Sequence, residues 1–172
     1  QLTKLYPGSI VPPTYLRKYI LDILERADNI DTDFIRRDYY QGGEAKNEDS
    51  FIKLRQEFYQ NIYNTGYTIC IRGTGNFSAR FYETLALGRI PIFINTDCML
   101  PFNDLISWQD HILWVEQTDI RDINLKIMDF HHSLTKKSFN TIQKENRKLW
   151  EKYFSFSGMI NNLIIDINKN IN

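Results

Sequence analysis

Apolar residues along this chain come in short runs whose period changes at glycines. "YTICIRG" and "RIPIFIN" are continuously apolar, the pattern of strands in a sheet covered on both faces. Between them "FSARFYETLALG" places its apolar residues at helical spacing and stops at Gly88, which predicts a helix. The alternation continues on either side. "KLYPGSI" reads as a first strand closed by Pro7-Gly8-Ser9. "VPPTYLRKYILDILERA" reads as a helix with Pro12 and Pro13 near its start, Thr14 as N-cap, and Leu16, Tyr19, Ile20, Ile23 and Leu24 in register. "DTDFIRRDYY" predicts a short second strand carrying Arg36 and Arg37, and "GGEAKNEDS" a polar loop. "SFIKLRQEFYQNIYNTG" predicts a second helix, with Phe51, Leu54, Phe58 and Ile62 on one side and Gly66 as its stop. After a loop holding Pro101 and Trp108, "HILWVEQ" is the fifth strand. Helices at about 119–130 and 135–154 follow, then a final apolar helix from Met159.

Strands alternating with helices predict an α/β fold with a parallel sheet, and 172 residues suit a single domain over 1–172. With 42% apolar and 24% charged residues the chain has the composition of a folded protein. The net charge is zero, which weighs against a nucleic-acid partner. Cys70 and Cys98 are the only cysteines, too few for a disulfide scaffold and without zinc-ligand spacing; Cys70 reads as a small hydrophobe in its strand. His131 and His132 are adjacent on a helix and point about 100° apart, a poor metal pair, so no metal site is expected. No apolar run reaches the roughly 20 residues of a membrane helix. The N-terminal residues lack a signal organisation, and the abrupt start at Gln1 suits a domain cut from a longer protein.

The chemistry concentrates at "RGTGNFSAR". Ligands of parallel α/β sheets sit at the carboxyl ends of the strands, the place expected for Arg72, Gly73, Thr74, Gly75, Asn76, Phe77 and Ser78. The two glycines permit close backbone approach, and the helix that follows offers N–H groups and a partial positive charge to an anion. On an ideal wheel Asn76, Arg80, Glu83 and Thr84 share a polar side, whereas Phe77, Phe81 and Leu85, with Tyr82 at the margin, share the side packed on the sheet. Arg72 and Arg80 flank the turn with guanidinium forks that suit a diphosphate. Glu83, one turn further on, suits paired ribose hydroxyls. The bland alternative is a surface Arg80–Glu83 pair at i, i+3, worth a few tenths of a kcal/mol, which leaves the glycines without a role. A second alternative is an NAD(P)-dependent oxidoreductase, since "GTGNFS" with Asp97 at the end of the next strand imitates a dinucleotide fingerprint. Ser78 stands where the third glycine belongs, and two arginines bracket the loop, so this reading ranks second.

The stretch "RGTGNFSARFYETLALGRIPIFINTDCMLPFNDLISWQDHILWVEQTDI" resembles the signature region of exostosin-like glycosyltransferases. It supplies Ser78, Arg80, Phe81, Tyr82, Glu83, Gly88, Ile90, Pro91, Pro101, Phe102, Trp108, Val115 and Glu116 in that family's order. The match covers about 55–125, with "YPGSIVPPTYLRKYIL" and "DFIRRDYY" more loosely similar to the segments before it. The resemblance implies the Rossmann-like, donor-binding C-terminal half of a two-domain GT-B enzyme. It implies inverting transfer of a sugar from a UDP- or GDP-linked donor to a glycan hydroxyl, with the donor as substrate and neither cofactor nor obligatory metal. By matched position Arg80 would bind the diphosphate and Glu83 the ribose, the two residues that would carry catalysis, with the Gly73–Ser78 turn close to phosphates and sugar; Asp97, at the end of the next strand, is a further candidate substrate contact. One departure stands out: Gly75 and Asn76 occupy the place where many GT-B enzymes carry a further carboxylate.

Asp97, Asp104 and Asp110 read as turn or capping residues, and the resemblance implies that the general base comes from the other, N-terminal domain. The apolar side of the 135–154 helix reads as core, and the helices from about 135 are candidates to dock on that domain. A non-catalytic nucleotide-sugar-binding module is the third reading. Asn76-Phe77-Ser78 is a formal glycosylation acceptor, and a glycan there would block the turn. That favours a bacterial-type cytoplasm; a eukaryotic chain would belong in the Golgi lumen.

Overall fold

Three strands, Tyr67–Cys70 (β1), Ile90–Asn95 (β2) and Leu113–Glu116 (β3), pair in parallel in the order β1-β2-β3. They belong to a computed structural model that describes residues 12–37 and 47–171. The helices are Pro13–Glu25 (α1), Glu48–Asn64 (α2), Ala79–Ala86 (α3), Ile123–Ser133 (α4), Lys136–Tyr153 (α5) and Phe156–Ile171 (α6). The expected α/β fold, a Rossmann-like parallel sheet between helices, is the one found.

Strand geometry sends alternate side chains to opposite faces, and the two cores divide accordingly. Ile92 and Ile94 of β2 join Ile71, Leu113 and Val115 under α1 and α4, packed on Leu16, Ile20, Leu24, Ile123 and Ile127. Phe93 joins Cys70 on the other face under α3 and α5, with Phe81, Leu85, Trp108, Ile112 and Leu149. Phe81 meets Trp108 and Phe93 edge-on at 5.3 and 5.6 Å between ring centroids, a favoured aromatic arrangement. Cys70 is fully buried, and burial pushes its thiol up to about 12. It behaves as the small hydrophobe expected of it.

Gly88 ends α3 in the left-handed region at φ +61°, where its N–H donates to Leu85 O (2.9 Å) and the Arg89 N–H to Thr84 O (2.9 Å). A Cβ here would also lie 3.1 Å from the Gln143 carbonyl oxygen of α5. Just beyond, the wholly buried Asn146 of α5 donates from Nδ2 to Arg89 O (3.0 Å) and His111 O (2.9 Å), while its Oδ1 lies 2.9 Å from His111 Nδ1. One buried amide thereby satisfies two loop carbonyls at once.

Several expectations change. The first predicted strand, in "KLYPGSI", and residues 38–46 fall outside the described residues. Residues 31–37 form no strand. Ile30 and Phe34 pack against the first core, but Arg36 pairs with Glu25 (2.7 Å) and Asp22 (3.7 Å) of α1, and Arg37 pairs with Glu57 of α2. Anchors on helices replace a backbone ladder. Thr14 is not the N-cap of α1; Pro12 is, with Pro13 at the first helical position. The expected 119–130 helix opens as a 3₁₀ turn over Gln117–Asp122 before α4 begins. The last helix starts at Phe156, ahead of Met159, and much of its apolar surface is bare, with Phe156 80%, Met159 50% and Leu163 56% exposed. Among the described residues no helix is long and apolar enough to cross a membrane.

Candidate functional site

β1 stops at Cys70, Ile71 finishes in the core, and the chain turns at Arg72. The turn is closed by the Gly73 N–H, which donates to Phe77 O at 2.9 Å. It is then stitched to the end of β2 by one side chain. Asn76 Nδ2 donates to Thr96 O (2.9 Å) and Asp97 O (3.0 Å), and the buried Thr96 hydroxyl donates back to Asn76 Oδ1 (2.7 Å). The glycine turn therefore sits at the carboxyl edge of the sheet, beside the next strand's exit, where sheet topology puts ligands. Asp97 is exposed there with φ 58°. Along the same edge Asn95 Nδ2 donates to Glu116 Oε2 (2.8 Å) and Trp114 Nε1 to Glu116 Oε1 (2.7 Å), so Glu116 ties β2 to β3.

Gly73 and Gly75 earn their places by openness rather than by unusual backbone. Among the described glycines only Gly88 has a positive φ. A Cβ at Gly73 would come no nearer than 3.9 Å to the Phe77 carbonyl oxygen; one at Gly75 would press the Phe77 ring at 3.0 Å. Thr74, Gly75, Asn76 and Phe77 are exposed and Gly73 is half-buried, a low rim of backbone. α3 begins only at Ala79, so Phe77 is not on its apolar face as expected but in the turn, 59% exposed. Ser78 holds the N-cap position, is buried, and makes no side-chain capping bond. Thr84, expected on the polar side, is fully buried: its hydroxyl donates to Arg80 O (2.7 Å) and lies 3.8 Å from Cys70 Sγ. A back-bonded hydroxyl needs no water, so that side of the helix can pack.

Arg72 is buried, with Nη1 donating to Gly73 O at 3.4 Å. Arg80 projects from the first turn of α3, its guanidinium 4.9 Å from the Phe58 ring centroid. Arg80 as a residue is exposed, yet atoms crowd its guanidinium enough to hold the pKa below the ordinary arginine value, with the positive charges of Arg17 and Arg37 pushing the same way. The surface Arg80–Glu83 pair is not formed among the described residues. Glu83 instead faces Arg55 of α2, Nη2 to Oε1 3.6 Å, both side chains partly exposed. Arg55 lies over Tyr59 (4.7 Å) and Phe58 (5.3 Å) and donates to the Tyr59 hydroxyl. Among the described residues no three His, Cys, Asp or Glu side chains gather as a metal-ion cluster.

With that geometry in hand, the Exostosin GT47 domain matches residues 13–129, well over half of the chain. The chain belongs to this family. Exostosin-1 of Drosophila melanogaster is 26% identical over 100 residues, 58% of this chain and 13% of that protein. A probable glucuronosyltransferase of Oryza sativa (GUT1) is 29% identical over 69 residues, 40% of this chain and 16% of its own length. A probable beta-1,4-xylosyltransferase of Arabidopsis thaliana (IRX10L) is 32% identical over 63 residues, 37% of this chain and 15% of its own. The exostosin domain described here thus spans under a fifth of each of these relatives.

Within the exostosin domain the match runs from α1 through most of α4 and includes every candidate site residue read from the sequence, from Arg72 to Asp97. It also includes residues that sequence reasoning did not single out as functional: Arg55, Phe58 and Thr96. Arg55, Phe58 and Tyr59 stand at i, i+3 and i+4 on α2, a basic and aromatic patch that the wheel displays. Thr96 was legible as the first residue of a polar stop, "TD", after a buried strand. The oxidoreductase alternative draws no support from the family.

Proposed function

We propose that this exostosin domain holds the donor of a glycosyltransferase: a UDP- or GDP-linked sugar, passed with inversion to a hydroxyl of a glycan acceptor. In this reading the diphosphate lies against the Gly73–Ser78 turn, between Arg72 and Arg80 and facing the N-terminus of α3. Asp97 stands at the rim, and Glu83 accepts hydrogen bonds from the ribose. Negative charge grows on the departing diphosphate, so fixed positive groups beside it lower the barrier. The observation that carries the reading is geometric: the glycine turn is clipped by Asn76 to the exit of β2 at the carboxyl edge of the sheet, with Arg72 and Arg80 on its two sides and α3 beginning at Ala79.

The glucuronosyltransferase and xylosyltransferase names of the plant relatives support sugar transfer as the reaction. The acceptor site and the base that takes the acceptor's proton belong, on this reading, to the other half of a GT-B enzyme. The bare apolar side chains of α6 suit packing against it. The relatives named above come from an animal and from plants, which supports the Golgi lumen over a bacterial cytoplasm. The acceptor-like Asn76 does not weigh against a lumen, because both protons of its amide nitrogen are committed to backbone carbonyls.

Calorimetric titration with UDP, GDP and NADH tests the assignment. A nucleoside diphosphate is expected to bind and NADH not. Arg80→Ala should weaken UDP or GDP by about ten- to a hundredfold, the worth of a charge-assisted hydrogen bond, and the free nucleoside by less than about twofold. Equal losses remove Arg80 from the phosphate. Donor binding without transfer by the full-length protein would mark a binding module instead.

A further inference from the structure

Glu83 and Arg80, the two residues assigned to the donor, both lean on one turn of α2. Phe58 lies under the Arg80 guanidinium at 4.9 Å and under that of Arg55 at 5.3 Å. Arg55 is the one ion-pair partner of Glu83 among the described residues. It is itself held on three counts: stacked on Tyr59, placed over Phe58 and hydrogen-bonded to the Tyr59 hydroxyl. A guanidinium fixed in this way presents charge from a settled position, because its rotamer freedom has already been surrendered to its own helix.

The contact is lopsided. Arg55 Nη2 approaches Oε1 of Glu83 at 3.6 Å, an ion-pair distance beyond an ordinary hydrogen bond. A carboxylate offers about four acceptor sites on two oxygens, so a single long contact on Oε1 leaves the accepting capacity of Oε2 for another donor. Two vicinal hydroxyls are such donors. The pair is 38% and 28% exposed, and a pair wetted to that degree contributes little to folding. Its geometry therefore calls for a reason other than stability.

Resting on the donor reading above, we propose that Arg55 is a positioning residue, which holds the Glu83 carboxylate so that its free oxygen meets the hydroxyls of the donor's ribose. Arg55 itself touches neither phosphate nor sugar. Its removal leaves Glu83 in place chemically but free to rotate into solvent, so the loss falls on recognition of the ribose and not on the grip of the diphosphate. A structural role for Arg55, as a tie between α2 and α3, makes a different forecast: both ligands below weaken together.

The test uses the 172-residue chain and two probes for each base, UDP or GDP and the corresponding 2′,3′-dideoxynucleoside diphosphate, titrated by calorimetry. The parent is expected to favour the ribonucleotide by about tenfold, one to two hydrogen bonds to a charged group after desolvation. Arg55→Met, which keeps the stem and removes the charge, should bring that ratio to within about twofold while dideoxynucleotide affinity holds. Arg55→Lys should restore part of the ratio, and melting temperatures should stay close to the parent's. A parent-like ratio in Arg55→Met overturns the proposal, and so does equal weakening of both probes. Failure of the donor reading looks different: the parent then binds no nucleoside diphosphate at all, and the proposal falls with it. A parent that binds both probes equally removes Glu83 from the ribose and Arg55 with it, leaving the phosphate assignment standing.

Discussion

Asn76 uses its whole carboxamide to clip the glycine turn onto the exit of β2, through Thr96 and the Asp97 carbonyl. Asn76→Ala removes three hydrogen bonds and strands the buried Thr96 hydroxyl, so a loss of about 1–3 kcal/mol is expected in denaturant unfolding. Nucleoside diphosphate affinity should fall with it, since the turn is then free to splay. At this scale the sequence was readable in kind but not in partner. Arg72, Arg80 and Glu83 stood out as charges around glycines. What Glu83 pairs with depends on a helix that precedes β1, and no local spacing reports that Arg55 arrives there. The wheel likewise set Thr84 toward solvent, because a wheel has no term for a hydroxyl that bonds its own helix. It carried Phe77 inward because it began the helix two residues too early.

The elements were more legible than their contacts. β1, α3, β2 and β3 follow from apolar runs punctuated by Gly66, Gly88 and Pro101, and the two-sided burial of β2 bears out its unbroken hydrophobicity. Gly88 carries the clearest elemental prediction. Its left-handed backbone and its 3.1 Å approach to the Gln143 carbonyl both oppose a side chain. Gly88→Ala should therefore cost about 1–2 kcal/mol from the backbone alone, with more from the displaced α5, read as a lower midpoint in thermal unfolding. The second strand expected in "DTDFIRRDYY" failed over 31–37 for a reason outside the segment. Alternating apolar and charged residues suit an edge strand, but carboxylates on α1 and α2 capture Arg36 and Arg37 first.

For the molecule as a whole, α6 is the anomaly: Phe156, Met159, Leu163 and Ile164 leave large apolar areas in water, more than scattered surface hydrophobics require. Binding of the dye ANS should be strong in this chain and should drop sharply when residues 156–172 are deleted, with UDP or GDP titrations unchanged. An unchanged dye signal would place the exposed surface elsewhere. The same view clarifies Asn146. The family match ends at residue 129, yet this amide reaches from α5 into the heart of the matched region and satisfies the carbonyls of Arg89, just before β2, and His111, just before β3. The boundary drawn by kinship and the boundary drawn by folding are thus different lines. Anyone excising the recognisable stretch for expression or for a chimera would leave behind the plug of its interior, and should carry the cut past Tyr153.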